Sequence, residues 1–277
     1  MLQAIDLAQG MDDLGVNGAY LRVHHFARQQ SSPMPLLAAI AARTQRIEVG
    51  TGVIDMRYEN PLYLAEEAAS VDLISDGRLA LGVSRGSPET VVRGYEAFGY
   101  TGSTDPRGAD IAREHFDLFL KAVEGAGLAE RDAMSPFGGG SGMQRIEPHS
   151  PGLRSRIWWG AGNRDSAEWA GRMGVNLMSS TLLTEDTGVP FHQLQAEQIQ
   201  MYRDAWAAAG HQREPRVSVS RSIGIELDGD QPGKFIQPVP VDEGKVAAWQ
   251  QLELGVAALA FGDTRWDLPL LQSARRG

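Results

Sequence analysis

Short runs of apolar, β-branched and aromatic residues alternate along the chain with segments whose apolar positions recur at helical spacing. The short runs predict strands at 19–26, 47–55, 78–86, 156–163, 176–180, 216–227 and 257–262. The helical spacing predicts helices at 2–15, 31–46, 60–75, 166–174 and 191–210. Alternation of strands and helices is typical of a parallel sheet with crossover helices. The pattern therefore leaves two architectures, an open doubly wound sheet and a closed eight-stranded barrel.

Local signals mark where some helices begin and end. Asn60 followed by Pro61 is a helix start, and Gly174 is placed to end another helix as a C′ glycine. On the helix that begins at Pro61, we expect Asp72 to be solvated or paired with Arg78.

Two stretches predict long irregular loops. Residues 130–153 and 228–243 are rich in residues that break regular structure, and such loops either cover a site or are disordered. The chain opens directly on a helix, so a barrel would need a further strand in front of it or from elsewhere.

The amino-acid composition excludes several classes of protein and of functional site. Hydrophobic residues make up 42% of the 277, which is enough for a sizeable core, and no run of about 18 apolar residues predicts a membrane span. The absence of cysteine excludes disulfides, thiolate metal sites and cysteine nucleophiles, and it fits a reducing cytosol. A net charge of -9 argues against nucleic acid as a partner. The first residues lack the basic-then-apolar order of a secretory signal. We therefore expect a cytoplasmic protein with a single domain over residues 1–277.

Residues 18–27, GAYLRVHHFA, place two histidines at the end of a predicted strand. Neighbouring side chains on a strand point to opposite faces, so the two rings cannot easily share one metal or act as a dyad. Tyr20 and Arg22 share a polar face with His24, whereas His25 lies on the apolar face. In a barrel the polar face points inward, and the carboxyl ends of the strands form the site. His24 is therefore the catalytic candidate and His25 the structural one, although spacing alone also allows both to be structural.

Three further stretches could bind a ligand, and each has an ordinary structural alternative. Arg85, at the end of a predicted strand, suits an anion held above the sheet, or it pairs with Glu89. The turn 160–166, GAGNRDS, joins a strand to a helix, where small residues and N–H groups favour phosphate, although any such turn needs a glycine. Gly52, where another strand ends, would let a flat ligand lie against the backbone, or it marks a bulge.

Together these stretches resemble the bacterial luciferase-like family of flavin monooxygenases over about residues 8–227. The resemblance rests on LGVNGAYLRVHHF, SSPMPLLAAIAARTQRIEVGTGV, NPLYLAEEAASVDLISDGRLALGVSRG and WWGAGNRDSAEWAGRMG, in that order. It implies a TIM-type α/β barrel, (β/α)8, whose first strand is absent from this sequence.

The resemblance also implies roles for particular residues. His24 matches the first histidine of the family's His-His-Phe motif, which is associated with the reduced flavin. Gly52 and Val53 match a pair that is often joined by a cis peptide beneath the flavin ring. The residues that match those around the flavin phosphate are Arg85, Gly162, Asn163, Arg164 and Ser166.

The activity that the resemblance implies is a monooxygenase reaction. Reduced FMN, supplied by a separate NAD(P)H-dependent flavin reductase, would act with molecular oxygen on a small organic substrate, and the protein would be a homodimer. Related barrels use a deazaflavin for hydride transfer, and a non-catalytic flavin-binding protein or a barrel for another phosphorylated metabolite would carry a similar turn. Two departures from the family pattern bear on the flavin site. Val23 replaces a common glutamate before the histidines, and little sequence separates the strand predicted at 216–227 from residues 241–266, where the family usually has a fuller helical segment.

Overall fold

The structure, a computed structural model, describes residues 1–28, 30–86, 89–137, 140–179 and 187–219, together with the backbone of two short strands at 224–226 and 234–236. The chain divides into two compact units, Met1–Val219 and Ser220–Gly277. Most of the second unit lies outside the described residues, so the single domain over 1–277 stays a prediction.

The first unit is built on one parallel sheet. Its strands are β1 (Gly18–Leu21), β2 (Glu48–Thr51), β3 (Ile54–Asp55), β4 (Leu79–Ser84), β7 (Ile157–Ala161), β8 (Asn176–Ser179) and β9 (Val217–Val219). Six of them lie side by side in the order β1-β2-β4-β7-β8-β9, and β3 pairs in parallel with the end of β4. The remaining strands of this unit, β5 (Ala129–Glu130) and β6 (Met143–Gln144), form a separate antiparallel pair.

Side chains from distant strands show that this sheet curls. Glu48 on β2 and Arg216, directly before β9, are separated in the sheet by β4, β7 and β8. Arg216 Nη1 nevertheless donates to Glu48 Oε2 at 2.7 Å, and the Tyr20 hydroxyl of β1 donates to the same carboxylate. The sheet must close around these groups, and its sequential order has no reversal, so the open doubly wound sheet is excluded. The predicted barrel is confirmed, as a (β/α)8-type barrel that lacks strands in the described part of the chain.

Helices connect these strands. They are α1 (Leu2–Asp13), α2 (Pro33–Arg43), α3 (Pro61–Ile74), α4 (Ala109–Val123), α5 (Arg164–Met173) and α6 (Phe191–Ala208), with 3₁₀ turns at Gly94–Phe98 and Leu153–Arg156. Asn60 accepts from the backbone N–H groups of Leu62 and Tyr63, both at 3.1 Å, which caps α3 as predicted. Gly174 ends α5 with a φ of 66°, a left-handed conformation that favours glycine. No helix in the described residues combines the length and the apolar composition that crossing a bilayer would require.

The core lies between the sheet and the helices. Every residue of β4 is buried, because both faces of a central parallel strand are covered. Leu37 of α2, Ala68 of α3, Phe116 of α4 and Ala167 of α5 are fully buried against the sheet side of the core. Burial of a large apolar side chain contributes about 1.5–3 kcal/mol to folding. The core thus holds the strand ends rigidly, and these ends carry the candidate site.

Two strand predictions at the ends of the first unit need correction. The strand predicted at 19–26 ends at Leu21, and the chain turns at Phe26, whose φ is 56°. The stretch 216–227, predicted as one strand, contains two strands, Val217–Val219 and Gly224–Glu226, and the residues between them lie outside the described ones. A local run of β-prone residues cannot show where pairing stops, because pairing depends on the neighbouring strand.

In the second unit, β10 (Gly224–Glu226) pairs antiparallel with β11 (Lys234–Ile236). β11 falls in the stretch 228–243 that was predicted as irregular, so that prediction is wrong there, and the rest of the stretch lies outside the described residues. The strand predicted at 257–262 also lies outside them. In the first unit, the predicted loop 130–153 contains β6, paired with β5.

Candidate functional site

A cavity of about 710 Å³ opens at the carboxyl ends of β4 and β7. Parallel strands present these ends at one edge of the sheet, so residues far apart in sequence meet there. The cavity is lined by the end of β4, the turn after β7, the loop before α4 and the start of α4. Of the predicted binding residues, the structure brings together Val53, Arg85, Gly162, Asn163 and Ser166 around this cavity.

Arg85 lies near other guanidinium groups and has no ion-pair partner among the described residues. Burial lowers the pKa of its guanidinium, and the nearby charges of Arg107 and Arg57 lower it further. The predicted alternative partner, Glu89, accepts instead from Arg57. In the part of the chain that the structure describes, no carboxylate forms an ion pair with Arg85, Arg107 or Arg113, and all three line the cavity. An anion entering the cavity therefore meets uncompensated guanidinium charge.

The turn after β7 supplies hydrogen-bond donors. Asn163 Oδ1 accepts from the Ser166 backbone N–H at 2.8 Å, which caps α5. Trp159 Nε1 donates to Ser166 Oγ at 2.9 Å. Because this hydroxyl oxygen already accepts a hydrogen bond from the indole N–H, its own O–H can donate to a ligand in the cavity. The N–H groups of a first helical turn and the helix dipole also favour an anion at this position.

Arg164 points elsewhere. Its Nη1 donates to Glu197 Oε2 of α6 at 2.8 Å, and the side chain does not line the cavity. Its position in the first turn of α5 therefore brings its backbone, and not its guanidinium, toward the predicted anion.

Gly52 and Val53 link the cavity to the neighbouring strand. The peptide bond between them is cis, as the resemblance implied. The Gly52 N–H donates to the Leu21 carbonyl of β1 at 2.8 Å, while the Val53 side chain lines the cavity. A Cβ on Gly52 would meet nothing within 4 Å, so there is open space beside this residue. The pair thus lies between the end of β1 and the cavity.

His24 lies three residues beyond the end of β1 and does not line the cavity. Its ring is half-buried, and Nε2 is 3.4 Å from the Arg22 guanidinium. In the sheet order, β1 is two strands from β4 and three from β7. At about 4.8 Å per strand, the end of β1 is roughly 10 Å from the end of β4 and roughly 14 Å from the end of β7 along the sheet edge. An elongated ligand would be needed to contact all three.

His25 occupies an aromatic environment. Its ring stacks on Tyr58 with centroids 4.1 Å apart, and the Phe98 ring approaches edge-on at 5.2 Å. Burial lowers the pKa of His25, which favours the neutral ring. This packing agrees with the structural role expected for His25.

Sequence reasoning missed several residues at the cavity. Arg113 on α4 lines it, and so does Arg57. Arg113 stands over the Trp169 ring at 5.5 Å. The sequence carries no local signal that distinguishes Arg113 from an ordinary surface residue.

Comparisons with known proteins agree with this architecture. A profile of the family described as luciferase-like monooxygenases matches residues 2–228. Over 102 residues the chain is 34% identical to the oxygenase component of the flavin-dependent trigonelline monooxygenase of Acinetobacter baylyi, covering 35% of this chain and 28% of that protein. Over 90 residues it is 32% identical to the F420-dependent glucose-6-phosphate dehydrogenase of Amycolatopsis mediterranei, covering 31% of this chain and 27% of that protein.

A solved structure is similar over a longer stretch. The crystal structure of monooxygenase RslO1 from Streptomyces bottropensis superposes with a TM-score of 0.59 at 26% identity, over 78% of this chain and 63% of that one. The chain spans about half, or less, of the length of several curated relatives that it matches.

Proposed function

The chain belongs to the luciferase-like monooxygenase family, and we propose that it uses reduced FMN and molecular oxygen to oxidise a small organic substrate. The observation that carries the proposal is the guanidinium of Arg85, which forms no ion pair in the described part of the chain and lines the same cavity as the first turn of α5. Both lie on the sheet edge that also carries His24, at a separation that suits a ring joined to a phosphate by a chain.

The residues at the cavity fit FMN at both ends. Arg85 and the Ser166 hydroxyl would bind the phosphate, and Asn163 holds the turn that presents Ser166. Gly52 and Val53 would support the ring, because the space beside Gly52 is open. When bound, reduced FMN supplies the electrons that activate oxygen.

His24 is the proposed proton-handling residue. Its ring lies at the end of β1, on the far side of the Gly52–Val53 peptide from the phosphate residues. A histidine changes charge near neutral pH, so it can hold or transfer a proton beside the reacting ring.

The loop before α4 would keep water away from the reacting ring. Asp110 on α4 accepts from the Thr104 backbone N–H at 2.8 Å and from the Ser103 hydroxyl, and Arg57 Nη1 donates to the Arg107 carbonyl at 3.0 Å. These bonds hold the loop over the cavity, where excluding water favours productive turnover.

The proposal includes partners and location. An NAD(P)H-dependent flavin reductase would supply reduced FMN, in keeping with the name of the trigonelline relative, which is an oxygenase component. The family resemblance supports a homodimer, and light scattering of the purified protein tests it. The absence of cysteine and the need for NAD(P)H support a cytoplasmic location.

Cofactor titration tests the proposal. Flavin fluorescence quenching should show FMN binding at least about tenfold tighter than the deazaflavin F420, followed by oxygen uptake when chemically reduced FMN and candidate substrates are added. Tighter binding of F420 would favour the alternative of a deazaflavin-dependent oxidoreductase, which the F420-dependent relative supports. FMN binding without oxygen-dependent turnover of any substrate would favour a non-catalytic flavin-binding protein.

A further inference from the structure

Arg57 sits between two carboxylates at the edge of the cavity. Its Nε donates to Asp55 Oδ1 at 3.0 Å, and its Nη2 pairs with both Asp55 and Glu89. The side chains of Arg57, Asp55 and Glu89 are only 9%, 11% and 10% exposed. The Tyr58 hydroxyl donates to the second oxygen of Glu89 at 2.6 Å, so this carboxylate is held from two sides.

The guanidinium of Arg57 is fully engaged within the protein. Nε and Nη2 donate to the carboxylates, and Nη1 donates to the Arg107 carbonyl at 3.0 Å. Although Arg57 lines the cavity, each of its nitrogen atoms already donates to a protein group. It is therefore poorly suited to bind an anion directly, unlike Arg85.

The two carboxylates lie close to Arg85. Asp55 is paired in register with Ser84, the residue before Arg85, and Glu89 lines the same cavity as Arg85. A side chain on Gly86 would collide with the Asp55 carboxylate, so glycine at this position is what lets Asp55 lie against the loop. The charge of Asp55 is near enough to raise the pKa of Arg85, against the larger lowering effect of burial.

We propose that Arg57 is a positioning residue that binds Asp55 and Glu89 and so keeps them from pairing with Arg85, which leaves Arg85 available for the phosphate of the flavin. The inference rests on the proposed function. Without Arg57, two buried carboxylates would be left beside the phosphate site, where Arg85 is a cation without an ion-pair partner in the described chain. They would neutralise Arg85 and repel the incoming phosphate.

The first experiment separates phosphate binding from ring binding. FMN and riboflavin, which lacks the phosphate, are titrated against wild type and Arg57→Gln by fluorescence quenching. We expect Arg57→Gln to weaken FMN binding by at least about tenfold and riboflavin binding by less than about threefold. Equal losses for the two ligands would overturn the proposal, because they would show a general structural role.

Removal of the Glu89 charge should not weaken FMN binding, in contrast to removal of the Arg57 charge. With Arg57 retained, Glu89→Gln removes one competing negative charge and should bind FMN as tightly as wild type or more tightly. In the Arg57→Gln background, Glu89→Gln should restore at least half of the lost binding free energy. If Glu89→Gln weakens FMN binding in both backgrounds, the proposal is wrong. The single variant Glu89→Gln keeps this test decisive if Arg57→Gln does not fold.

A matched control and a simpler probe complete the test. Arg172→Gln removes a guanidinium whose partner is Glu168 on the same surface helix, and it should leave FMN binding unchanged.

Inorganic phosphate, scored by thermal shift, probes the anion site without the ring. If wild type ignores FMN but phosphate stabilises wild type and not Arg57→Gln, the proposed function fails and the role of Arg57 stands. If wild type responds to neither FMN nor phosphate, both fail.

Discussion

Asp72 is expected to stabilise the barrel through a buried ion pair. Its side chain is 0% exposed, and Arg156, which directly precedes β7, donates from Nε to Oδ1 at 3.0 Å. The Ser150 hydroxyl donates to Oδ2 at 2.6 Å. These bonds tie α3 to the start of β7, whose other end carries the turn at the candidate site. The perturbation of choice is to remove either partner of the pair without changing its size much.

The expected magnitudes follow from how each partner is buried. Arg156→Met leaves the buried Asp72 carboxylate with Ser150 as its one remaining side-chain donor among the described residues, and breaking a buried pair in this way costs about 3–5 kcal/mol. Asp72→Asn leaves the guanidinium unpaired, but the Arg156 side chain is 22% exposed and can be partly hydrated. We expect that change to cost less, about 2–3 kcal/mol.

Urea denaturation followed by tryptophan fluorescence measures these losses. The double variant Asp72→Asn/Arg156→Met should lose clearly less stability than the sum of the two single variants, because neither unpaired charge remains. Additive losses would refute the reasoning, and so would a smaller loss for Arg156→Met than for Asp72→Asn.

Three further predictions concern the candidate site and its surroundings. Arg85→Gln should raise the FMN dissociation constant about 10- to 100-fold, because a hydrogen bond to a charged group is worth about 1.5–3 kcal/mol. Riboflavin binding should not change. Equal effects on both ligands in a fluorescence titration would contradict a phosphate contact. His24→Ala should lower oxygen-dependent turnover by about 10²- to 10⁴-fold with FMN binding retained, and unchanged turnover against an active wild type would remove its assignment. Burial raises the pKa of Glu59 to about 7. The contribution of Glu59 to the free energy of unfolding is therefore fully present below its unfolded pKa of 4.5 and is lost as the pH rises through 7. Glu59→Gln should therefore stabilise the protein at about pH 8, by up to about 3 kcal/mol, and change little at about pH 4; urea midpoints at the two pH values measure this, and a larger gain at the lower pH would be the wrong sign.

Much of the fold could be predicted because its signals are local. Asn60 and Pro61 begin α3, and Gly174 ends α5, since caps act through bonds within one helical turn. The alternation of strands and helices limited the fold to two architectures, and the resemblance favoured the barrel. The ends of strands were less predictable. β1 stops at Leu21 because its pairing with β2 stops at Thr51, and no residue of β1 itself encodes that limit.

Some residues of the candidate site could likewise be predicted from local sequence, whereas others could not. Arg85 and the glycine turn at 160–166 were identified individually from the sequence, since a strand end or a helix start is visible locally. Parallel pairing then explains why they share a cavity. The place of Arg57 could not be predicted, because its partner Glu89 lies 32 residues away on another loop.

The ion pairs show most clearly what could not be predicted from the sequence. The sequence offered Arg78 as the partner of Asp72, because the two lie near each other on the chain. The structure pairs Asp72 with Arg156, 84 residues away, and directs the Arg78 guanidinium to carbonyl groups such as that of Ile47. Hydrophobic periodicity, helix caps and turn glycines act between residues that are near neighbours on the chain. The sequence alone therefore determined most of the helices and of the strands in the parallel sheet, and their order. The pairing of charges depends on which strand ends and loops meet in space, and only the tertiary structure decided that.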